Sequence, residues 1–311
     1  MTTPPVVVLL GGSGFIGSHL ATDFHQQGWR VLIISRHPDR SRRRLGQRFE
    51  YFPSLQHIDP GLIVDLVINL AGASVGEGRW TPRRKRQLLD SRLGPTRQLA
   101  QWLHARPQKP RRLIQASAVG YYGNGSTQNW EDICDESAPP QADVFVSELC
   151  QQWETLARDI HADSGVAVSI CRLGVVLGRD GGILPQLLKP VSMMMGRMGT
   201  GQQPLPWIHI DDVVGAIRFI AKQYIQPGLQ VYNLTAPETT TQLQFAQTAA
   251  RLIKRPLLLF VPASIMRLAM GEQAELVLDG QFVHPAALLN HDYDFRFPSI
   301  ETALADLLPQ R

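Results

Sequence analysis

Three cysteines in 311 residues, Cys134, Cys150 and Cys171, are too few and too widely spaced for a disulfide framework or a zinc site, so reduced thiols are expected. No stretch approaches the roughly 20 uninterrupted apolar residues of a membrane span. The opening MTTPPVVVLL carries no basic region ahead of its apolar run. An uncleaved, cytoplasmic chain without a membrane partner is the expectation. Aromatics make up 7% of the residues, and the arginine clusters at 40–44 and 83–86 are not interleaved with them. With no nucleic-acid-reading module in view, no nucleic-acid partner is expected. No internal repeat is visible. What remains is an ordinary globular composition, 44% apolar and 19% charged, with a net charge of +4 that suits small anionic ligands.

The most informative stretch is VVVLLGGSGFIGSHL, residues 6–20. Five apolar residues, Val6 to Leu10, read as a strand covered on both faces, and they run into glycines and then an apolar-periodic helix start. Gly11, Gly14 and Gly17 sit three apart. The first allows a sharp turn, the second lets backbone approach a pyrophosphate, and the third allows close helix–strand packing. Ser13, Phe15 and Ile16 complete a candidate phosphate cradle at a helix N-terminus, where unpaired N–H groups point outward. The alternative is a plain tight turn, because the spacing is GxxGxxG instead of GxGxxG.

The next apolar run, Trp29 to Ser35, is the second strand, and it ends in Ser35-Arg36. An acid there would hold a ribose 2′-hydroxyl. Arg36 instead offers a charge-assisted fork to a 2′-phosphate, so NADP is the cofactor expected over NAD. Arg40 and Arg42 to Arg44 either add to that site or belong to a solvated loop.

Further strands are read at Phe49–Phe52, Asp65–Leu70, Arg111–Ser117 and Val166–Leu173, with helices from Thr81-Pro82 and from about Asp143 to His161. After Leu70 the chain turns on the small residues Ala71 and Gly72, as it would at a strand end under a cofactor. Arg83, Arg84, Lys85 and Arg86 crowd a helix start; either an acidic partner compensates them or they are simply exposed, and exposure is favoured. Alternation of strand and helix implies an α/β Rossmann-type doubly wound parallel sheet. It occupies residues 1–173, with sheet contributions from about 205–235. Residues 174–311 form a smaller, mainly helical substrate lobe, including an extension at 257–311. The glycine-punctuated stretch after Leu173 reads as mobile segments and short helices. Its Met193-Met194-Met195 run lies over a cleft or fills core. Arg172, Arg179, Lys189 and Arg197 are its cations for an anionic substrate. Trp207 to Val214 reads as a helix start bearing an acid pair.

In order, GGSGFIG, INLAG, SAVGYYG, RLGVVLG, WIHIDDVV and VYNLTAPE resemble the extended short-chain dehydrogenase/reductase superfamily, in its nucleoside-diphosphate-sugar epimerase group. More narrowly, MRLAMGEQAELVLDGQFVHPAALL is similar to the C-terminal extension of the YfcH-type epimerase-family branch, although LLNHDYDF departs from the Gly-Phe usual there. The resemblance implies a Rossmann core, an NADP(H) site and a lobe closing over the substrate. It also implies a Tyr-x-x-x-Lys pair, whose positions here hold Val144 and Glu148, neither chemically competent. Acid–base candidates then fall to Ser117, Tyr121 and Tyr122. For Tyr122 the competing role is packing against the cofactor. Arg92 stands where relatives carry asparagine. It either orients an anionic substrate, with Arg179 and Lys189 as further candidates, or makes a surface salt bridge. His209 and Asp212 are read as structural ties, and Glu131, Asp132, Asp135 and Glu136 as solvated loop acids. The partner expected is a small, anionic carbonyl or sugar-like molecule, and a homodimer is an open alternative to a monomer.

Overall fold

The elements run in the order β1 (Val6–Leu10), α1 (Phe15–Gln26), β2 (Arg30–Ile34), α2 (Pro38–Leu45), β3 (Glu50–Phe52), β4 (Leu66–Asn69), α3 (Pro82–Ala105), β5 (Arg112–Ala118), β6 (Ile133–Cys134), α4 (Phe145–Ser164) and β7 (Ala167–Leu173). The second half contributes β8 (Val175–Gly178), β9 (Gly181–Gly182), α5 (Leu184–Ser192), β10 (Met195–Met198), β11 (Trp207–His209), α6 (Ile210–Lys222), β12 (Leu229–Leu234) and α7 (Gln242–Leu252). It closes with β13 (Leu259–Val261), α8 (Ala263–Met270), α9 (Glu275–Leu278), β14 (Phe282–Val283), α10 (Ala286–Asn290) and α11 (Ile300–Leu307). These are seen in a computed structural model that describes residues 3–125, 130, 132–222 and 228–309.

Seven strands form one sheet in the order β12-β7-β5-β4-β1-β2-β3, every neighbouring pair parallel. Parallel strands carry helices on both faces, which explains why β1 is apolar at every position instead of alternating. Val7 and Leu9 pack with Leu20 and Phe24 of α1 and Ile217 of α6 on one side. Val8 and Leu10 pack with Leu99 and Leu103 of α3 and Ile160 of α4 on the other. The doubly wound sheet is therefore present as expected. The direction of travel reverses between β1 and β4, so a crevice opens at their C-terminal ends.

Local chemistry sets several boundaries. The Thr81 hydroxyl accepts the Arg84 backbone N–H, with Pro82 at the first helical position of α3. Gly165, at φ 69°, ends α4 in the left-handed conformation.

The structure corrects three expectations. The DRSRRR run is not a loop; it forms α2, with Ser41 buried and its hydroxyl 2.7 Å from that of Ser35. The glycine-rich stretch after Leu173 holds an expected short helix, α5, but also brief strands that were not expected. There β8 pairs with β9 and β11, and β10 with β13, because short apolar runs between glycines suit brief strands. Trp207–His209 is likewise a strand, with α6 starting only at Ile210.

The lobe has its own core, in which Leu177, Trp207 and Phe245 meet Leu304 and Leu307 of α11. Asp212 fastens that return, accepting the backbone N–H groups of Arg296 and Phe297 at 2.8 and 2.9 Å. Residues 268–283 then cross the ends of β4 and β5. Arg79 donates to the carbonyls of Leu268 and Ala269, Gln273 to that of Val75, and Gln281 to that of Tyr122. Lys85 pairs with Glu272, so this member of the basic α3 start has an acidic partner, contrary to the expected exposure. Arg84 donates to the Ser74 carbonyl, while Arg83 and Arg86 are exposed. Among the described residues no helix is long and apolar enough to cross a membrane.

Candidate functional site

At the crevice, the turn after β1 is shaped by contacts that only glycine tolerates. Gly11 has φ 75°, and a Cβ on it would meet the Leu70 carbonyl carbon at 2.8 Å. A Cβ on Gly17 would lie 2.4 Å from the Gly11 oxygen and 2.6 Å from the Gly12 Cα, so helix and turn are in backbone contact there. Gly14 is exposed at the N-cap of α1, which has no side-chain cap and no acid in its first turn. The N–H groups of Phe15, Ile16 and Gly17, at the start of α1, have no intrahelical acceptors. Uncapped donors at a positive helix end fit a pyrophosphate. The Phe15 ring lies against Gly178, Gly181 and Gly182, which seats the β8–β9 hairpin beside this helix start.

The end of β2 lies next to this turn. Ser35 accepts the His37 N–H and contacts Ser41, while Arg36 is exposed and forms no ion pair with a described residue. Asp39, the nearest acid in sequence, is taken by Arg42 at 3.2 Å.

Asn69 shapes the β4 turn: buried, it donates to Thr96 and Gln115 and accepts the Ala71 N–H. The absence of a side chain on Gly72 makes room for Arg92, whose guanidinium carbon would be 3.1 Å from a Cβ there. Arg92 makes no salt bridge with a described residue. It donates to the carbonyls of Leu88 and Ala73 and lies over the Trp153 ring, and burial pulls its pKa down. The structure thus places a half-buried cation without a carboxylate at the crevice.

Beyond β5 the candidate hydroxyls separate. Ser117 is buried and donates to Glu154 at 2.8 Å. Glu154 also holds Arg172 through two bonds of 2.8 and 2.9 Å. Arg172 in turn donates to the Tyr122 hydroxyl at 2.8 Å, and that hydroxyl donates to Asn233 at 2.7 Å. Burial pushes the Tyr122 phenol up to about 12. Ser117 and Tyr122 are therefore both committed inside a buried polar chain. Arg172 is taken by Glu154 and does not face a substrate, correcting its reading as a cation for one. Tyr121 differs: its ring lies 3.4 Å from the Arg172 guanidinium carbon, its carbonyl accepts from Ser147, and its hydroxyl bonds to no described residue.

The remaining candidates are dispersed. Arg179 donates to the Asp306 carbonyl on α11, and the Lys189 side chain is exposed on α5. Val144 caps α4 and Glu148 is exposed in its first turn, where the dipole favours a carboxylate. Glu136 is not a solvated loop acid. Its carboxylate accepts the backbone N–H groups of Asn233 and Ala287, and burial raises its pKa. Asp132 is exposed and Asp135 accepts from Ser137, while Glu131 lies outside the described residues. Sequence reasoning missed Glu154 and Asn233. The signal was a lone glutamate on the apolar stripe of α4 and a lone arginine in the apolar strand VAVSICRL.

A family model described as the NAD dependent epimerase/dehydratase family matches residues 7–235. The chain belongs to this family. A second model, a domain of unknown function (DUF1731), matches residues 261–307. This epimerase-family chain is 36% identical over 308 residues to the epimerase family protein SSP1921 of Staphylococcus saprophyticus, covering 97% of this chain and 98% of the relative. The crystal structure of human epimerase family protein SDR39U1 with NADPH is similar at TM-score 0.84 and 30% identity, covering 97% of this chain and 98% of that one. UDP-glucuronic acid 4-epimerase from Bacillus cereus, in complex with UDP-glucuronic acid and NAD, shares the fold at TM-score 0.77 and 17% identity, covering 97% and 98% of the two chains. The extended short-chain dehydrogenase/reductase resemblance read from the motifs thus holds over nearly the whole chain.

Proposed function

We propose that this protein is an NADP(H)-dependent oxidoreductase or epimerase-like enzyme acting on a small, anionic carbonyl or sugar-like molecule. The observation that carries the reading is the uncapped start of α1 beside an exposed Arg36 at the end of β2 that pairs with no described acid. The similar human protein that crystallised with NADPH supports the same cofactor. Gly11, Ser13, Gly14, Phe15, Ile16 and Gly17 would hold the pyrophosphate, Ser35 and Arg36 the extra phosphate, and Leu70, Ala71 and Gly72 would border the adenosine-to-nicotinamide path. A nicotinamide there supplies or accepts hydride. The chain's own part is proton exchange with the substrate oxygen, assigned to Tyr121 because its hydroxyl is uncommitted. Arg92 contributes positive charge toward a substrate anion.

Titration of the purified protein with NADPH and NADH by quenching of intrinsic tryptophan fluorescence tests the cofactor, and tighter binding of NADH would overturn it. Turnover of NADPH on a panel of carbonyl compounds, lost in Tyr121→Phe with NADPH affinity kept, tests the acid–base assignment.

Val144 and Glu148 at the superfamily's Tyr and Lys positions favour one alternative, a non-catalytic NADP(H)-binding regulator. Tight NADPH binding without turnover of any carbonyl in the panel, and with altered affinity for a partner protein, would select it.

A further inference from the structure

Two stretches of the lobe, residues 181–210 and 239–271, contain no aspartate or glutamate. They pack on each other through the β10–β13 pairing, with the N–H groups of Leu258 and Leu259 both donating to the Met194 carbonyl. At that junction the large apolar side chains point outward. Leu258 is 70% exposed and Phe260 58%, with Leu259, Met193 and Met194 beside them. Ile265 and Leu268 are exposed on the helix that follows, Leu268 at 81%. Met194 holds φ 61°, a costly conformation for a side chain of its size, at the tip of the turn that presents the two methionines.

We propose that this face docks peripherally on an anionic phospholipid surface. Positive charge is joined there to apolar exposure. Lys189, one turn before Met193, together with Arg197 and Arg255, forms no ion pair with a described residue. The Arg197 guanidinium sits 5.0 Å from the Phe260 ring centroid, so cation and apolar group share one spot. The carboxylates near the rim are engaged: Glu301 pairs with Arg251, Glu272 with Lys85, Glu275 accepts from Asn124, and Asp279 faces Arg267. Exposed Leu, Met and Phe enter the headgroup–acyl boundary while adjacent Lys and Arg meet lipid phosphates, the combination that holds a protein on a bilayer without spanning it. A second copy of this chain is a poorer occupant. A two-fold contact would set this acid-free face against itself and oppose like charges.

Flotation of the full chain with vesicles of phosphatidylcholine alone, and of phosphatidylcholine with phosphatidylglycerol, tests the proposal. The expected result is retention by the mixed vesicles only, weakened by added salt because the attraction is screened over a Debye length. The variant Arg197→Glu/Arg255→Glu should lose about tenfold or more in vesicle affinity, and so should Leu258→Ser/Phe260→Ser. Both variants carry surface changes, and unchanged thermal melting establishes that each is folded. No retention by either vesicle overturns the proposal, as does equal retention by both. Failure to float combined with a dimer that Leu258→Ser/Phe260→Ser dissociates, measured by light scattering, replaces the lipid with a second copy. Capture of an acidic protein without flotation likewise replaces it.

Discussion

The Arg172 guanidinium carbon stands 3.4 Å from the centroid of the Tyr121 ring while two of its nitrogens are bonded to Glu154. One residue thus joins β7 to α4 and props the phenol that the site leaves open. Burial opposes the arginine's charge and Glu154 overcomes that opposition, so the pKa of Arg172 rises.

Removing one partner should therefore be worse than removing both. Glu154→Gln leaves a buried cation uncompensated, and a loss of about 3–5 kcal/mol is expected. Glu154→Leu combined with Arg172→Met should recover a large part of that loss in urea unfolding. A double variant as unstable as the sum of the two singles would contradict this account.

Gly17 admits no side chain, because its Cβ would be 2.4 Å from the Gly11 oxygen. Gly17→Ala should lower stability by roughly 1–3 kcal/mol through forced backbone movement. The same variant should lose NADPH binding, since the displaced turn is the one offered to the phosphates. Thermal melting and fluorescence titration read the two effects separately.

Arg36→Glu inverts the charge at the end of β2 without touching the core. NADPH affinity should fall by tenfold or more, about 1.4 kcal/mol or above, as a charge-assisted bond is replaced by repulsion. NADH affinity should stay level or rise. Parallel losses for both cofactors would place the extra phosphate elsewhere.

His209 is buried against Phe297, and burial lowers its pKa from 6.5. The unfolded chain then takes up a proton at this position before the folded one does. The contribution to stability is complete above pH 6.5 and is lost as pH falls below it toward the lowered folded value. Urea midpoints measured downward from pH 7 should decline through this window. His209→Asn should be less stable at pH 7 but show a shallower decline.

The sheet was legible because parallel strands covered on both faces leave nearly unbroken apolar runs, as in Val6–Leu10 and Leu66–Asn69. The glycine turn was legible because glycine spacing reports backbone contact directly. The short strands β8 to β11 were not, since glycines between brief apolar runs read equally well as loops. Glu136 was misread for a related reason. Its partners, the N–H groups of Asn233 and Ala287, come from sequence positions far from its own, and local composition is blind to such acceptors. Ser117 and Tyr122 lie at the end of β5 with Tyr121, and only the buried chain through Glu154 and Arg172 distinguishes them from it.

The crossing of residues 268–283 over the ends of β4 and β5 has a consequence for biosynthesis. Gln281 and Gly280 bond to Tyr122 and Asn124, and Asn233 donates to the His284 carbonyl, so the loop beside Tyr121 takes supports from residues synthesised well after it. A nascent chain has its glycine turn early and the struts of the Tyr121 loop late, and a product cut short near residue 260 would keep the first while losing the second.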